Sequence, residues 1–206
     1  MKIGEFSRNG ESRVHVRGLD HDYEPGGKVT PVGFLLPDQD ELSIAVCTSK
    51  VTSDCIVDAF DHWWNENKTR FPDVDTLVLL QDNGPENSGR RTQFLSRMVN
   101  FVEKHHVNVR LAYYPPYHSK YNPVERCWGV LERHWNGTLL DTVDAVVGYA
   151  QSMTWKQQHP VVRLVTQTYE SGIRLSKKAM TPVESRLSRL PHLSSWFIDI
   201  CCQGAI

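Results

Sequence analysis

The 206-residue sequence has no long apolar run, no C-x-x-C pair and no large excess of one charge. Its longest apolar stretches, such as Leu77 to Leu80, fall far short of the roughly 18 residues that a membrane-spanning helix needs. No apolar segment typical of a secretory signal follows Met1. We therefore expect a cytoplasmic protein that does not interact with membranes.

Extremes of composition are also missing. Hydrophobic residues make up 40% of the chain and charged residues 23%, which excludes a disordered, collagen-like or coiled-coil protein. The length predicts a single domain over residues 1–206, with a core over about 1–155 and a C-terminal extension over 156–206.

Metal-binding and disulfide patterns are absent as well. The five cysteines are an odd number and lie in or beside apolar runs, so free thiols are expected. The nine histidines show no H-x-x-x-H or H-E-x-x-H spacing, so the sequence gives no support for a zinc site.

What the sequence does contain is an uneven charge distribution behind its net charge of -1. Residues 1–88 carry a net charge of -8 and residues 89–206 a net charge of +7. Such a split is a weak indication of a surface that meets a polyanion.

Hydrophobic periodicity predicts an alternating series of strands and helices. The run Thr76 to Gln81 is apolar at consecutive positions, which favours a strand covered on both faces in the interior of a sheet. The order of elements predicts an α/β fold, a mixed sheet with helices on its faces. Predicted strands are Lys2 to Phe6, Val29 to Leu36, Leu42 to Thr48, Thr76 to Gln81 and Val107 to Tyr113; predicted helices begin near Ser53, span Arg90 to His106, begin at Asn122-Pro123, and span Thr142 to Thr154.

Two carboxylates stand out as candidates for chemistry. Asp82 directly follows the most apolar predicted strand and opens an Asp-Asn-Gly-Pro turn, where a metal ligand could lie. Asp-Asn-Gly is also simply a good turn, so a structural role is equally possible. Glu125 falls in the first turn of the helix opened by Asn122-Pro123, where an acid commonly caps the helix.

The segment before Glu125 is dense in aromatic, basic and rigid residues, Tyr-Tyr-Pro-Pro-Tyr-His-Ser-Lys-Tyr-Asn-Pro-Val-Glu over positions 113–125. Together with Asp-Asn-Gly-x-x-Asn at 82–87, it resembles the second and third acidic motifs of the insertion-sequence DDE transposases. Smaller pieces, among them Trp63-Trp64 and Trp135-Asn136-Gly137, are similar to the Rhodopirellula-type transposase DDE domain. The resemblance covers nearly the whole chain.

This resemblance implies an RNase H-like catalytic domain, related to retroviral integrase, that cuts and joins DNA during transposition. It implies that Asp82 and Glu125 are catalytic and hold Mg²⁺ or Mn²⁺, the hard cations that carboxylate oxygens suit. Transposon-end DNA is the implied partner, a homo-oligomer is possible, and no small-molecule cofactor is expected. The DNA contacts are assigned to His118, Ser119, Lys120, Asn122 and Arg126.

One departure from the family pattern bears on activity. The family has its first catalytic Asp on an opening central strand, a few residues ahead of the segment that corresponds to Lys2 to Phe6. That Asp and the first central strand that carries it are expected to be absent, which predicts an inactive, truncated fragment. The alternative is an unrelated α/β small-molecule enzyme or binding domain, in which Asp82 forms a turn and Glu125 caps a helix.

Overall fold

The computed structural model describes residues 27–115 and 122–202. The described chain forms seven strands and five α-helices, and no helix among these residues is long and apolar enough to cross a membrane. The predicted strand Lys2 to Phe6 lies outside the described residues. The strands are β1 (Thr30–Leu36), β2 (Glu41–Cys47), β3 (Thr76–Gln81), β4 (Asn108–Tyr113), β5 (Val161–Val165), β6 (Leu187–Arg189) and β7 (Phe197–Ile200), and the helices are α1 (Ser53–Asn67), α2 (Thr92–His105), α3 (Pro123–Trp135), α4 (Val143–Ser152) and α5 (Lys177–Glu184).

The strands form two mixed sheets. In the first, β1 pairs antiparallel with β2, and β2 pairs parallel with β5. In the second, β3 pairs parallel with β4, and β7 lies antiparallel between β4 and β6. Within the described residues, β1 and β3 each have a partner on one side only.

Helices cover the first sheet on both faces. Leu42, Ile44 and Val46 of β2 alternate toward a core that α3 and α4 complete with Cys127 and Leu131 among others. The opposite face of β1 meets α1, where the ring of Phe34 stacks on Trp63 with centroids 6.0 Å apart. Nearly every residue of β2 is therefore buried, as the period-two alternation of a strand covered on both faces requires.

The second sheet has helices on one face. Val109, Leu111 and Ile198 pack with α1, α2 and α5 in the larger hydrophobic core, which Leu77 and Leu79 of β3 also contact. The other face of β3 is open, since Val78 and Leu80 are 55% and 52% exposed. The prediction that β3 is an interior strand covered on both faces is wrong for the described residues. A run of consecutive apolar residues fixes strand character but does not by itself fix what covers each face.

Local chemistry explains the helix boundaries. Helix α1 begins at Ser53, as predicted, and the Thr52 side chain caps it by accepting a hydrogen bond from the backbone N–H of Cys55. The N-cap Asn122 and Pro123 at the first position of α3 are as predicted.

The five cysteines are free thiols, as predicted, with the Cys47 and Cys55 sulfur atoms 3.2 Å apart in the interior.

The segment after residue 156, predicted as an extension, supplies strands to both sheets. The short β5 extends the first sheet beside β2, and β6 and β7 complete the second sheet beside β4. The mixed α/β architecture with flanking helices agrees with the predicted RNase H-like fold class.

Candidate active site

The carboxyl end of β3 presents Asp82 to solvent. Its side chain is exposed, and one carboxylate oxygen, Oδ1, accepts a hydrogen bond of 3.2 Å from the Asn87 amide. The same amide nitrogen donates to the Asp82 carbonyl at 3.1 Å and to Gln81 Oε1 at 3.4 Å. Asn87 therefore closes the turn that begins at Asp82 and restrains the orientation of its carboxylate.

The turn is tied to the start of α1. The Ser53 hydroxyl donates to the Glu86 carbonyl at 2.6 Å, and the Ser53 backbone N–H donates to Glu86 Oε2 at 3.2 Å. Arg91 forms a half-buried ion pair with the same carboxylate oxygen at 3.1 Å. An acid at a helix N-terminus is favoured by the free backbone N–H groups and the helix dipole, so Glu86 fixes the turn to the helix.

The far side of the turn is tied to the second sheet. The Tyr113 hydroxyl at the end of β4 donates to the Asn87 carbonyl at 2.9 Å. Burial raises the pKa of Tyr113 well above its ordinary value, so this hydroxyl stays a donor. Gly89 is buried against Ile198, and a methyl group at position 89 would lie 2.7 Å from its Cδ1 atom. The segment from Asp82 to Arg91 is thus held by three separate elements.

Glu125 lies in the first turn of α3 and is exposed. The N-cap Asn122 is buried, and its side chain makes no capping hydrogen bond in the described part of the chain. Helix α3 packs closely on β1, since a methyl group at Gly33 would lie 2.6 Å from ring carbons of Trp128. The helix that carries Glu125 is therefore seated on the first sheet.

Strand β4 ends at the edge where Asp82 lies. The Tyr114 backbone N–H donates to the Gln81 carbonyl at 2.9 Å, so the chain leaves β4 beside Asp82. Arg126 is exposed next to Glu125. His118, Ser119 and Lys120 lie outside the described residues, and their DNA contacts stay predictions.

The two candidate acids carry the ligand type of the metal that the sequence implies. Asp82 and Glu125 offer carboxylate oxygens, the ligands that Mg²⁺ and Mn²⁺ prefer. In residues 27–115 and 122–202, no group of three or more His, Cys, Asp or Glu side chains could hold a metal ion. The two carboxylates therefore fit part of a metal cage, and the described residues do not supply a complete one.

The sequence motifs did not reveal how Asp82 is held. The motif Asp-Asn-Gly-x-x-Asn includes Asn87 but does not show that its amide binds the Asp82 carboxylate, and Glu86, which contacts Ser53 at the start of α1, was missed. The only signal for Glu86 was the polar run Glu86-Asn87-Ser88 before an apolar helix, a common feature of loops.

These features define an RNase H-like α/β domain with an exposed carboxylate at the carboxyl end of a strand. The family model described as the Rhodopirellula transposase DDE domain matches residues 1–202, and the chain belongs to this family. Membership implies a transposition-related function, DNA as a partner and a divalent metal, generally Mg²⁺ or Mn²⁺. A search of the curated proteins and a search of the solved structures each gave no match.

Proposed function

We propose that this domain takes part in metal-dependent cleavage and transfer of DNA strands at transposon ends, with Asp82 and Glu125 as metal ligands. The observation that carries the proposal is the restrained, exposed carboxylate of Asp82 at the carboxyl end of β3. Open α/β sheets commonly place their chemistry at this edge. Cytoplasmic location and self-association stay predictions.

The faces of the strands support a shared site for the two acids. Phe34 of β1 and Leu77 of β3 pack on the same core beside α1, whereas Gly33 meets α3 on the opposite side of β1. Val78 and Leu80, on the strand that Asp82 follows, are exposed and face away from that core. The helix that bears Glu125 and the exposed face of β3 are therefore both on the side away from that core, which supports a shared site for the two acids.

The residues of this chain would act by position and charge. Asn87 donates to Oδ1 of Asp82, and within the described residues Oδ2 accepts no hydrogen bond. When bound, a metal pair would activate the attacking water or 3'-hydroxyl and stabilise the leaving oxygen. Two-metal sites depend on fixing both ions at once, so Asp82 and Glu125 without a third acid should catalyse poorly. We expect the 206-residue chain, assayed alone, to be inactive or nearly so.

The test is Mn²⁺ binding, with DNA nicking as a second measurement. Asp82→Asn should weaken Mn²⁺ binding at least tenfold in calorimetric titration, because metal affinity falls by about 10- to 100-fold even when residues behind the ligands are lost. Asp75→Asn is the matched control, since Asp75 is an exposed aspartate just before the other end of β3.

Two outcomes would contradict the proposal. Equal Mn²⁺ affinity in the Asp82→Asn and Asp75→Asn proteins would remove Asp82 from the metal site. If the chain nicks DNA in a metal-dependent reaction, and the Asp82→Asn protein keeps this activity, other acids perform the chemistry.

A further inference from the structure

Beside the Asp82 turn, the surface around the start of α2 forms an arginine groove, lined by Ser88, Arg90, Arg91, Thr92, Arg174 and Arg189. It consists of two adjoining depressions of about 390 and 350 Å³, which share Arg90 and Thr92. Its arginines come from the Asp82 turn, from the segment before α5 and from β6. The fold therefore gathers positive charge from three distant parts of the chain.

The arginines of this groove differ in how they are held. Arg91 pairs with Glu86, and Arg189 donates to the Gly89 carbonyl at 3.1 Å and lies 3.6 Å from Glu184. Arg90 and Arg174 are exposed, and in the described part of the chain neither forms an ion pair with a carboxylate. Glu184, an acid that also lines the larger depression, faces Arg189. A net positive charge therefore remains, centred on Arg90 and Arg174.

The backbone adds further donors. The N-cap of α2 is Arg91, which makes no side-chain cap hydrogen bond within the described residues, so the first N–H groups of this helix lack the usual side-chain acceptor. The Thr92 hydroxyl accepts from the Leu175 backbone N–H at 3.1 Å, which fixes the segment bearing Arg174 against the helix. The groove is thus a shaped surface of guanidinium, hydroxyl and amide groups.

We propose that the arginine groove binds the phosphodiester backbone of duplex DNA next to the cleavage site, with Arg90 and Arg174 as the phosphate contacts. Arginine presents planar donors that match phosphate oxygens. Ser88 and Arg90 belong to the same turn as Asp82, and the Gly89 N–H donates to the Asn83 side chain at 3.3 Å. DNA held there would be positioned relative to Asp82. The inference rests on the proposed function, and it assigns the DNA contact to residues that the sequence motifs do not include.

The experiment is a salt titration of DNA binding by the full chain. A labelled duplex of arbitrary sequence is titrated with protein at several KCl concentrations, and log Kd is plotted against log salt concentration. Each phosphate contact contributes about 0.9 to that slope, or roughly eightfold in affinity at about 0.1 M salt. The Arg90→Ala/Arg174→Ala protein should therefore lose about 1.8 from the slope and bind roughly sixtyfold more weakly at that salt concentration.

Two matched variants separate a local contact from general effects. Arg163→Ala removes an exposed arginine from β5 in the first sheet and should leave the slope unchanged. Arg90→Lys/Arg174→Lys retains both charges and should keep most of the slope. If the alanine substitutions lowered the slope through a packing defect, the lysine variant would lose it as well. Circular dichroism of each variant checks that the fold is intact.

The inference is overturned if the double alanine variant keeps the slope of the parent chain, if Arg163→Ala lowers it equally, or if the chain shows no salt-dependent DNA binding. These outcomes are independent of the Mn²⁺ measurement. A normal Mn²⁺ site with an unchanged slope rejects only the groove, whereas a reduced slope without any effect of Asp82→Asn on Mn²⁺ binding rejects the proposed metal ligand and leaves the groove in place.

Discussion

The two sheets differ in how their faces are covered. The first has α1 on one side of its strands and α3 and α4 on the other, and β2 is buried almost throughout. The second packs α1, α2 and α5 on one face and leaves Val78 and Leu80 of β3 in solvent on the other. The first sheet thus supports the helix bearing Glu125, while the second leaves its open face and its carboxyl edge, with Asp82, exposed.

The largest expected effect on stability comes from comparing a buried leucine with an exposed leucine in the second sheet. Leu111→Ala removes a fully buried side chain from β4 and should lower the free energy of unfolding by about 3 kcal/mol, from lost burial and the cavity left behind. Leu80→Ala, on the open face of the neighbouring β3, should change it by no more than about 0.5 kcal/mol. Urea denaturation of both proteins measures the difference, and equal losses would mean that the open face of β3 is covered in solution.

The first sheet should be sensitive to added volume. Gly33→Ala places a methyl group 2.6 Å from Trp128 ring carbons, between β1 and α3, and should destabilise the protein by about 2 kcal/mol. Gly129→Ala, on the facing helix α3, is the control. Nothing lies within 4 Å of the added methyl group, and alanine favours a helix over glycine. Thermal unfolding compares the two, and a Gly33→Ala protein as stable as the parent would show that α3 is not tightly seated on β1.

The smallest expected effect on stability concerns Asp61 of α1, whose carboxylate contacts Lys104 and His105 of α2. Burial alone would raise the pKa of Asp61, but hydrogen bonds from Lys104 and His105 outweigh it and hold the pKa below its usual value. A depressed carboxylate pKa stabilises the fold above the unfolded value of about 3.9, and this stabilisation is lost as pH falls through the lower folded pKa. Asp61→Asn should cost up to about 1 kcal/mol at neutral pH, a modest figure because Lys104 is 57% exposed.

The measurement for Asp61 is the free energy of unfolding at neutral pH and at acidic pH. The difference in the free energy of unfolding between Asp61→Asn and the parent chain should disappear as the pH falls below the folded pKa of Asp61. Asp38→Asn, in the exposed turn between β1 and β2, serves as control. If this difference in the free energy of unfolding is the same at every pH, the lost stability comes from packing and not from charge.

Local patterns predicted much of the fold. The bounds of β3 and the start of α3 at Asn122-Pro123 agree with the structure, because apolar runs and helix-start residues act over a few positions. The division into two sheets and the pairing of β5 and β7 could not be predicted, because strand partners far apart in sequence leave no local period. Asp82 was recognisable from its turn, whereas the arginine groove depends on Arg174 and Arg189, which only the folded chain brings beside Arg90.

The open edge of β3 has a consequence for aggregation. Thr76–Gln81 is an uncharged six-residue segment without proline or glycine, rich in apolar side chains, and within the described residues one of its edges is unpaired. Such segments pair readily with copies of themselves, and proteins commonly restrain them with flanking charges called gatekeepers. Asp75 and Asp82 flank this segment directly. Asp82 is therefore positioned to oppose fibril-like self-association, in addition to the metal-binding role that we propose for it.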